Sequence, residues 1–259
     1  MIRWRIISEK SQGEKALLNL VQTEFLKLRR KKFVWLMLLA ALFMPLVAIF
    51  YFGASSTAGI TPMQFYKWTA LSYTPWIILP LVLGMLCTML MYDENQNDML
   101  KQLWIVPVSK MGYFFSKFTV VLVYSLCFML LTAFSSILAG VVPGMIAFTS
   151  DSVSFLFIKC LEIGILSPFA MIPVLAVAAS QKGYILPVCV TIVYTFLGFI
   201  LLMVNMYVHP LSSMTAIIMR NIQGVVMNEP VHIGKAFLCI GIWGMAGAVW
   251  ARIALGKGK

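Results

Sequence analysis

Long apolar stretches, separated by short polar segments, dominate the pattern of this chain. A helix rises about 1.5 Å per residue, so roughly 20 apolar residues cross about 30 Å of hydrocarbon. Strands of a membrane barrel would instead alternate with polar residues over about ten positions. The pattern therefore predicts an all-α integral membrane protein with six transmembrane helices. They are Phe33 to Phe52, Pro75 to Tyr92, Phe118 to Val142, Phe155 to Ser180, Ile185 to Val204 and Gly234 to Ala254.

Prolines, glycines and cysteines inside these stretches are interpreted as structural. Neighbouring helices or water can satisfy backbone groups freed by proline and glycine, so kinks are expected rather than breaks. The five cysteines lie far apart without metal-ligand spacing, and we expect them to be small buried hydrophobic residues. The residues concerned are Pro80, Gly84, Pro168, Pro173, Pro187, Gly198, Cys87, Cys127, Cys160, Cys189 and Cys239.

The segment before the first stretch predicts an amphipathic helix that lies along the membrane surface. Between Glu14 and Lys32, apolar residues recur at three- and four-residue steps. Five basic residues near its end are expected to pair with anionic lipid headgroups. Residues 1–32 then form a basic segment, and residues 33–259 form the transmembrane domain. The apolar residues are Leu17, Val21, Phe25 and Leu28, and the basic ones are Lys27, Arg29, Arg30, Lys31 and Lys32.

The distribution of charge predicts the orientation of the spans. The chain is 61% hydrophobic and 11% charged, with a formal net charge of +11. With six spans, the side that holds both termini carries nine basic residues before the first span, three after the second, one after the fourth and three at the C-terminal end. Basic residues collect on the cytoplasmic side, so both termini are predicted to be cytoplasmic. Clustered charge of this kind argues for membrane topology and against nucleic-acid binding.

Residues 93–117, between the second and third stretches, form the longest polar segment within the membrane domain. Acidic residues near its start and basic residues later suit the dipole of a short helix that begins near Asn95. The helix would present an apolar stripe and would end at a proline. The residues that matter are Glu94, Asp98, Leu100, Leu103, Trp104, Pro107, Lys110 and Lys117.

The connection of residues 205–233, after the fifth stretch, is too polar to be a full span and contains short apolar groups. A re-entrant or interfacial hairpin on the external side is predicted, because irregular backbone at membrane depth needs protein or water around it. His209, Arg220 and His232 are its candidate polar residues. Isolated histidines are weak evidence for a metal site, and we interpret them as polar residues that cap helices.

The chain resembles permease subunits of type 2 ABC transporters, particularly the lantibiotic-immunity and bacitracin-resistance group. The resemblance includes the basic amphipathic helix, the six spans, the external hairpin and the pattern of an acidic residue, a short helix, Pro107, Ser109, Lys110 and a later Lys117. The segments QKGYILP at Gln181 to Pro187 and HPLS at His209 to Ser212 are similar to the lantibiotic-immunity group.

The resemblance implies that residues 93–117 contain a coupling helix that docks on a separate ATPase subunit. Asp98, Leu100, Leu103 and Trp104 are then the docking candidates. The alternative is a loop helix that rests on lipid headgroups. No GxxxxGKS or GxxxxGKT phosphate loop occurs, so ATP and Mg²⁺ would be bound by the partner and no cofactor by this chain. Two ATPase copies and a second permease, identical or homologous, would complete the assembly.

Lys159 and Glu162 lie three residues apart in the fourth stretch, where unpaired charge is costly. We interpret them as a structural pair with Lys159 reaching outward, and the alternative is a pair that lines or gates the transport path. A rival hypothesis is an intramembrane hydrolase or protease that uses Glu162 with His209 or His232. HExxH and GxSxG motifs are both absent, which argues against it. A non-ABC transporter or a scaffold is a further alternative.

The sequence leads to one functional hypothesis. The chain is the membrane subunit of an ABC exporter in a bacterial plasma membrane, without catalytic residues or a metal site of its own. Its substrate would be an amphipathic antimicrobial peptide, such as a lantibiotic or a bacitracin-like compound, or a related amphipathic compound, taken from the lipid. The eighteen methionines and eighteen phenylalanines suit an adaptable apolar surface.

Overall fold

The computed structural model describes residues 18–54, 60–96, 109–220, 222 and 230–257. Within these ranges the regular structure is helical, and no strand occurs. Six helices are long and apolar enough to cross a membrane, and the predicted all-α fold with six spans is confirmed. In chain order, spans 1 to 6 are Lys32–Gly53, Pro62–Glu94, Lys110–Val141, Ser150–Ser180, Ile185–Val204 and Ile233–Gly256.

A helix over residues 18–29 precedes span 1, and a turn at Arg30 separates the two. We call residues 18–29 the N-terminal helix, and the end of the bundle where it lies the proximal end. The opposite end is the distal end. Span 1 itself is made of Lys32–Leu39, a 3₁₀ turn and Phe43–Ala54.

The predicted bounds of span 5 match the structure, whereas spans 2, 3 and 4 begin earlier than predicted. Span 3 begins at Lys110, after Ser109, whose Oγ accepts a hydrogen bond from the amide of Gly112 at 3.0 Å. A serine cap of this kind starts a helix whatever the hydropathy of its first turns. Hydropathy alone therefore placed this start too late, at Phe118.

The first half of span 2 winds more widely than an α-helix. After Pro62–Tyr66 come two π-helical turns, Lys67–Leu71 and Thr74–Ile78, and the α-helix resumes over Leu79–Gln96. The hydroxyl groups of Ser72 and Thr74 donate to the carbonyl oxygens five residues earlier, at 2.8 and 3.4 Å. Both hydroxyl groups thus find acceptors inside the span, as burial of polar groups at membrane depth requires.

Span 4 consists of two helices, Ser150–Ala170 and Ile172–Ser180, which meet at Met171. The Tyr194 hydroxyl of span 5 donates to the Ala170 carbonyl at 2.6 Å and so satisfies a terminal oxygen of the first helix. Pro168 and Pro173 flank this junction. The kink expected from these prolines is therefore present, and a neighbouring span stabilises it.

Spans 2, 3 and 4 form the centre of the bundle, and their facing residues make one hydrophobic core. Leu83 and Leu86 of span 2, Phe128 of span 3 and Ile163 of span 4 are all fully buried there. Spans 1, 5 and 6 lie at the periphery and expose many large apolar side chains, as a lipid environment allows.

A short helix, Pro210–Met219, follows span 5, and all ten of its residues are buried. The Ser212 hydroxyl donates to the carbonyl of Gly198 at 2.6 Å, inside span 5. Since Gly198 lies six residues before the end of that span, the contact is about 9 Å below the helix end. The short helix thus re-enters the bundle from the distal end.

All five cysteines are free thiols. Cys87, Cys160 and Cys239 are buried, as expected. Cys127 and Cys189 are exposed on the surfaces of spans 3 and 5, so the prediction that all five are buried is wrong. An apolar stretch in a membrane helix includes lipid-facing positions as well as core positions, and hydropathy does not distinguish them.

Spans 2 and 5 pack closely against each other at Gly84. A methyl group built there would come within 2.1 Å of Thr191 Cγ2 and 2.8 Å of Thr191 Cβ. The Thr191 hydroxyl is bonded to the Pro187 carbonyl at 2.8 Å, so the side chain is held in place. Glycine lets the two backbones pack this closely, as small residues do in membrane helix pairs.

We therefore expect Gly84→Ala to lower the stability of the fold by about 1–3 kcal/mol, the usual cost of overpacking. Thermal unfolding of the purified chain in detergent measures the effect. The matched control is Gly241→Ala in span 6, where an added methyl group meets no atom within 4 Å. Equal unfolding temperatures for the two variants would contradict the close approach.

Candidate functional site

Charged side chains from three helices converge at the proximal end of the bundle. Glu24 and Lys27 come from the N-terminal helix, Glu94 from the end of span 2 and Lys117 from the second turn of span 3. We call these four residues the ionic cluster. Two carboxylates and two ammonium groups make its formal charge zero.

Each ammonium group of the ionic cluster contacts both carboxylates. Lys27 Nζ lies 2.9 Å from Glu24 Oε1 and 2.6 Å from Glu94 Oε1. Lys117 Nζ lies 2.7 Å from Glu94 Oε1 and also forms an ion pair with Glu24. The Tyr113 hydroxyl donates a hydrogen bond to Glu94 Oε2. The result is a closed network in which the N-terminal helix is fastened to spans 2 and 3.

Burial makes this pairing obligatory. Lys117 and Glu24 are each 1% exposed and Glu94 is 4% exposed. An isolated charge at such a depth costs several kcal/mol, and an opposite charge with hydrogen bonds is needed to offset that cost. A cleft of about 310 Å³ adjoins the cluster, and Lys27, which is partly exposed, lies at its edge.

The pKa of Lys27 reflects the network. Burial lowers it, but the hydrogen bonds to Glu94 and Glu24 outweigh burial and raise the pKa above its ordinary value. The neighbouring Lys31 forms an ion pair with Asp93, yet burial and the repulsion of Lys117 lower its pKa. Lys27 and Lys31 thus pair with protein carboxylates, and the prediction that they pair with lipid headgroups is wrong for these two residues.

The ionic cluster lies at both ends of the predicted coupling segment. Glu94 lies near the start of that segment of residues 93–117 and Lys117 is its last residue, while Lys110 begins span 3 next to the capping Ser109. Asp98, Leu100, Leu103, Trp104 and Pro107, which complete the predicted set, lie outside the described residues. The structure therefore places the anchoring points of the segment and leaves its docking surface as a prediction.

The intramembrane pair of span 4 supports the re-entrant helix. Lys159 Nζ lies 2.7 Å from Glu162 Oε2 and donates to the carbonyl of Ile218 at 3.0 Å. That carbonyl belongs to the last turn of the short helix, where oxygens lack amide partners and attract a cation. Lys159 is 4% exposed, so it points into the bundle. The expectation that it reaches outward is wrong.

The hairpin residues occupy different environments. His209 is buried, and its Nδ1 accepts from the amide of Leu211 at 3.3 Å, which caps the short helix. Within the described ranges, its Nε2 has no hydrogen-bond partner. Arg220 follows the other end of the helix and is exposed. His232 is also exposed, and its backbone amide donates to the Tyr207 hydroxyl at 2.7 Å.

The residues proposed for an intramembrane hydrolase do not bond to one another in the described part of the chain. Among the residues that the structure describes, Glu162 bonds to Lys159, and neither His209 nor His232 forms a hydrogen bond or an ion pair with it. The same ranges contain no group of three or more His, Cys, Asp or Glu residues that could hold a metal ion.

Comparison with known proteins decides the class of transporter. A family model described as "ABC-2 family transporter protein" matches residues 20–198, more than half of the chain. The chain belongs to this family. None of the curated proteins compared with it matches.

Membership of the ABC-2 family identifies the chain as a multi-pass membrane permease subunit of an ABC transporter. Such a subunit supplies the membrane path and works with an ABC ATPase partner. The matched region begins within the N-terminal helix and includes all four residues of the ionic cluster.

Sequence reasoning missed Glu24 and Tyr113, although one signal was available. Glu24 follows Val21 by three residues and precedes Leu28 by four, so it lies on the apolar face of the N-terminal helix. A carboxylate on such a face is costly unless a buried cation meets it. That signal predicts a partner for Glu24, although it does not identify the partner as Lys117.

We expect Lys117→Met to destabilise the ABC-2 subunit strongly, because two buried carboxylates lose a counter-ion. Removing one partner of a buried ion pair costs about 3–5 kcal/mol, which corresponds to a drop of about 10 °C in Tm for a chain of this size. The control is Glu24→Gln with Lys117→Met, which leaves the neutral pair of Lys27 and Glu94. It should recover most of the loss, and a Tm as low as that of Lys117→Met alone would contradict the network.

His209 predicts a pH dependence of stability. Burial lowers its pKa to about 4, whereas an unfolded histidine titrates near pH 6.5. Between these values the unfolded chain binds more protons, so stability is lost as the pH falls from about 6.5 towards 4. At pH 5 the titration of His209 lowers the free energy of unfolding by about 2 kcal/mol relative to its value at neutral pH.

The His209→Asn variant tests this, since asparagine also caps a helix but does not titrate. The drop in Tm between pH 7.5 and pH 5 should be smaller in His209→Asn than in the unmodified chain. His232→Asn, at an exposed histidine, is the control and should leave the drop unchanged. A drop of the same size in all three proteins would exclude His209 as its source.

Proposed function

We propose that this ABC-2 permease subunit is part of an exporter that clears an amphipathic antimicrobial peptide, of the lantibiotic or bacitracin type, or a related amphipathic compound from the membrane. The assembly contains two ATPase subunits and a second permease. Both termini face the cytoplasm of a bacterial cell, as the bias of basic residues towards their side indicates. The ionic cluster then lies at the cytoplasmic surface, next to the ATPase.

The single observation that supports coupling at this place is the closed network formed by Glu94 and Lys117, which stand on either side of residues 95–108, with the N-terminal helix. Glu94 and Lys117 fix the two ends of the segment to each other through one 2.7 Å ion pair. Glu24 and Lys27 fix both ends to the N-terminal helix. A force applied to the segment therefore moves spans 2 and 3 and the N-terminal helix together, rather than bending one loop.

ATP-driven closure of the partner would alternate the permease between two arrangements of its spans. Transport follows if the substrate binds the two arrangements with different affinities, because a ligand shifts an equilibrium only through that difference. The kinked span 4 and the widely wound span 2 both depart from a straight α-helix at the centre of the bundle. We assign the change of shape to them.

Aromatic side chains at the distal end support an amphipathic, cationic substrate. Tyr51 stacks on Trp68 with ring centroids 5.2 Å apart, and Trp68 contacts Tyr73, which contacts Trp76. Tyr51, Trp68 and Tyr73 are each at least 39% exposed. Aromatic rings at a membrane surface bind apolar groups and attract cations through their faces.

The decisive experiment is co-purification of the chain with the ATPase encoded beside it, followed by ATPase assays in lipid vesicles with and without a cationic lantibiotic or bacitracin. Leu103→Asp or Trp104→Asp should reduce both co-purification and peptide-stimulated ATP hydrolysis by about tenfold or more, as loss of an interface hot spot does. Leu18→Asp, at an exposed leucine of the N-terminal helix, is the control and should retain both.

The Glu24→Gln, Lys117→Met variant separates coupling from folding. If the ionic cluster transmits movement, this folded variant should bind the ATPase but lose most of the stimulation by peptide. Retained stimulation in this variant and in Trp104→Asp would refute the assigned coupling route. If the permease binds the ATPase through the assigned segment but no peptide stimulates ATP hydrolysis, the proposed substrate class alone would be refuted.

A further inference from the structure

An apolar groove runs along the surface of the bundle between the N-terminal helix, span 1 and span 3. Its volume is about 340 Å³. On span 3 it extends from Val120 to Cys127, about 10 Å along the helix. The hydroxyl of Tyr124, in the groove wall, donates to the carbonyl of Val34 at 3.1 Å and is satisfied. The groove therefore suits a narrow hydrocarbon occupant.

A guanidinium group lies at the proximal mouth of the groove. Arg29 lines the groove and is exposed, and Arg30 and Lys32 beside it are exposed as well. The nearby carboxylates are already occupied, since Glu24 and Glu94 bind Lys27 and Lys117. Across the described residues, no ion pair involves Arg29.

We propose that this groove is a binding site for an anionic phospholipid, with an acyl chain between spans 1 and 3 and the phosphate on Arg29. Arginine matches phosphate oxygens with two parallel hydrogen bonds, which lysine does not do. Trp35, which also lines the groove, is 60% exposed, and indole rings prefer the headgroup level of a bilayer. The apolar wall, the indole ring of Trp35 and the guanidinium group of Arg29 thus match the acyl chain, the headgroup level and the phosphate of a phospholipid.

The charge at the mouth favours this occupant over a cationic peptide, which three exposed basic residues would repel. It also disfavours a second copy of the chain, because the same basic patch would meet itself across a two-fold interface. The lipid site does not depend on the proposed substrate. It lies on the face of the N-terminal helix next to the ionic cluster, with Leu28 between the two sites, so a bound lipid would contact the same helix from a second direction.

Native mass spectrometry of the full-length chain in detergent tests the proposal, with phosphatidylglycerol and phosphatidylcholine of identical acyl chains as probes. The unmodified chain should retain phosphatidylglycerol about fivefold better, the preference expected for one basic contact. Arg29→Gln should remove that preference. Val123→Trp, which fills the groove, should reduce retention of phosphatidylglycerol while Arg29 remains. Arg252→Gln, at an exposed arginine of span 6, is the control and should match the unmodified chain.

Size-exclusion chromatography of each variant confirms that it is folded before lipid binding is compared. Equal retention of the two lipids by the unmodified chain would overturn the proposal. So would unchanged preference in Arg29→Gln, or unchanged retention in Val123→Trp. A change in oligomeric mass in Val123→Trp without a change in lipid retention would show that the groove is an interface between copies, and would also overturn it.

Discussion

The cost of burying charge in a membrane protein organises the proximal end of this permease. Lys117 is an ammonium group in the second turn of a transmembrane helix, and a charge placed there without a partner would be strongly destabilising. Glu94 of span 2 and Glu24 of the N-terminal helix supply the opposite charges. The need of one lysine for counter-ions thus brings three separate helices to one point, next to the segment proposed to receive the ATPase.

The same constraint acts on the backbone at the distal end. The short helix Pro210–Met219 is buried on all sides, so its terminal groups need partners within the protein. His209 accepts from an amide at one end, and Lys159 donates to a carbonyl at the other. Glu162 balances the charge of Lys159. Sequence reasoning considered Lys159 and Glu162 as gating residues, and Glu162 as a catalytic one. Their contacts are explained by support of the re-entrant helix.

The N-terminal helix connects the two proposals because two of its faces have different partners. Glu24 and Lys27 join the ionic cluster on one face, and Phe25 and Arg29 line the apolar groove on the neighbouring face. A helix held by protein charges on one face and by lipid on the next would respond to both. In a transporter whose substrate comes from the membrane, this arrangement would make coupling sensitive to the surrounding lipid.

Hydropathy alone determined the number of spans and the all-α class, because burial in hydrocarbon requires long apolar helices whatever their packing. The amphipathic step pattern also located the N-terminal helix, and the prolines located the kink of span 4. The identity of the partner of Glu24, the inward direction of Lys159 and the exposure of Cys127 were decided by tertiary structure alone. Each depends on which face of one helix meets another. That choice is made by packing and by pairing of charge between residues far apart in the chain, such as Glu24 and Lys117, and no local pattern encodes it.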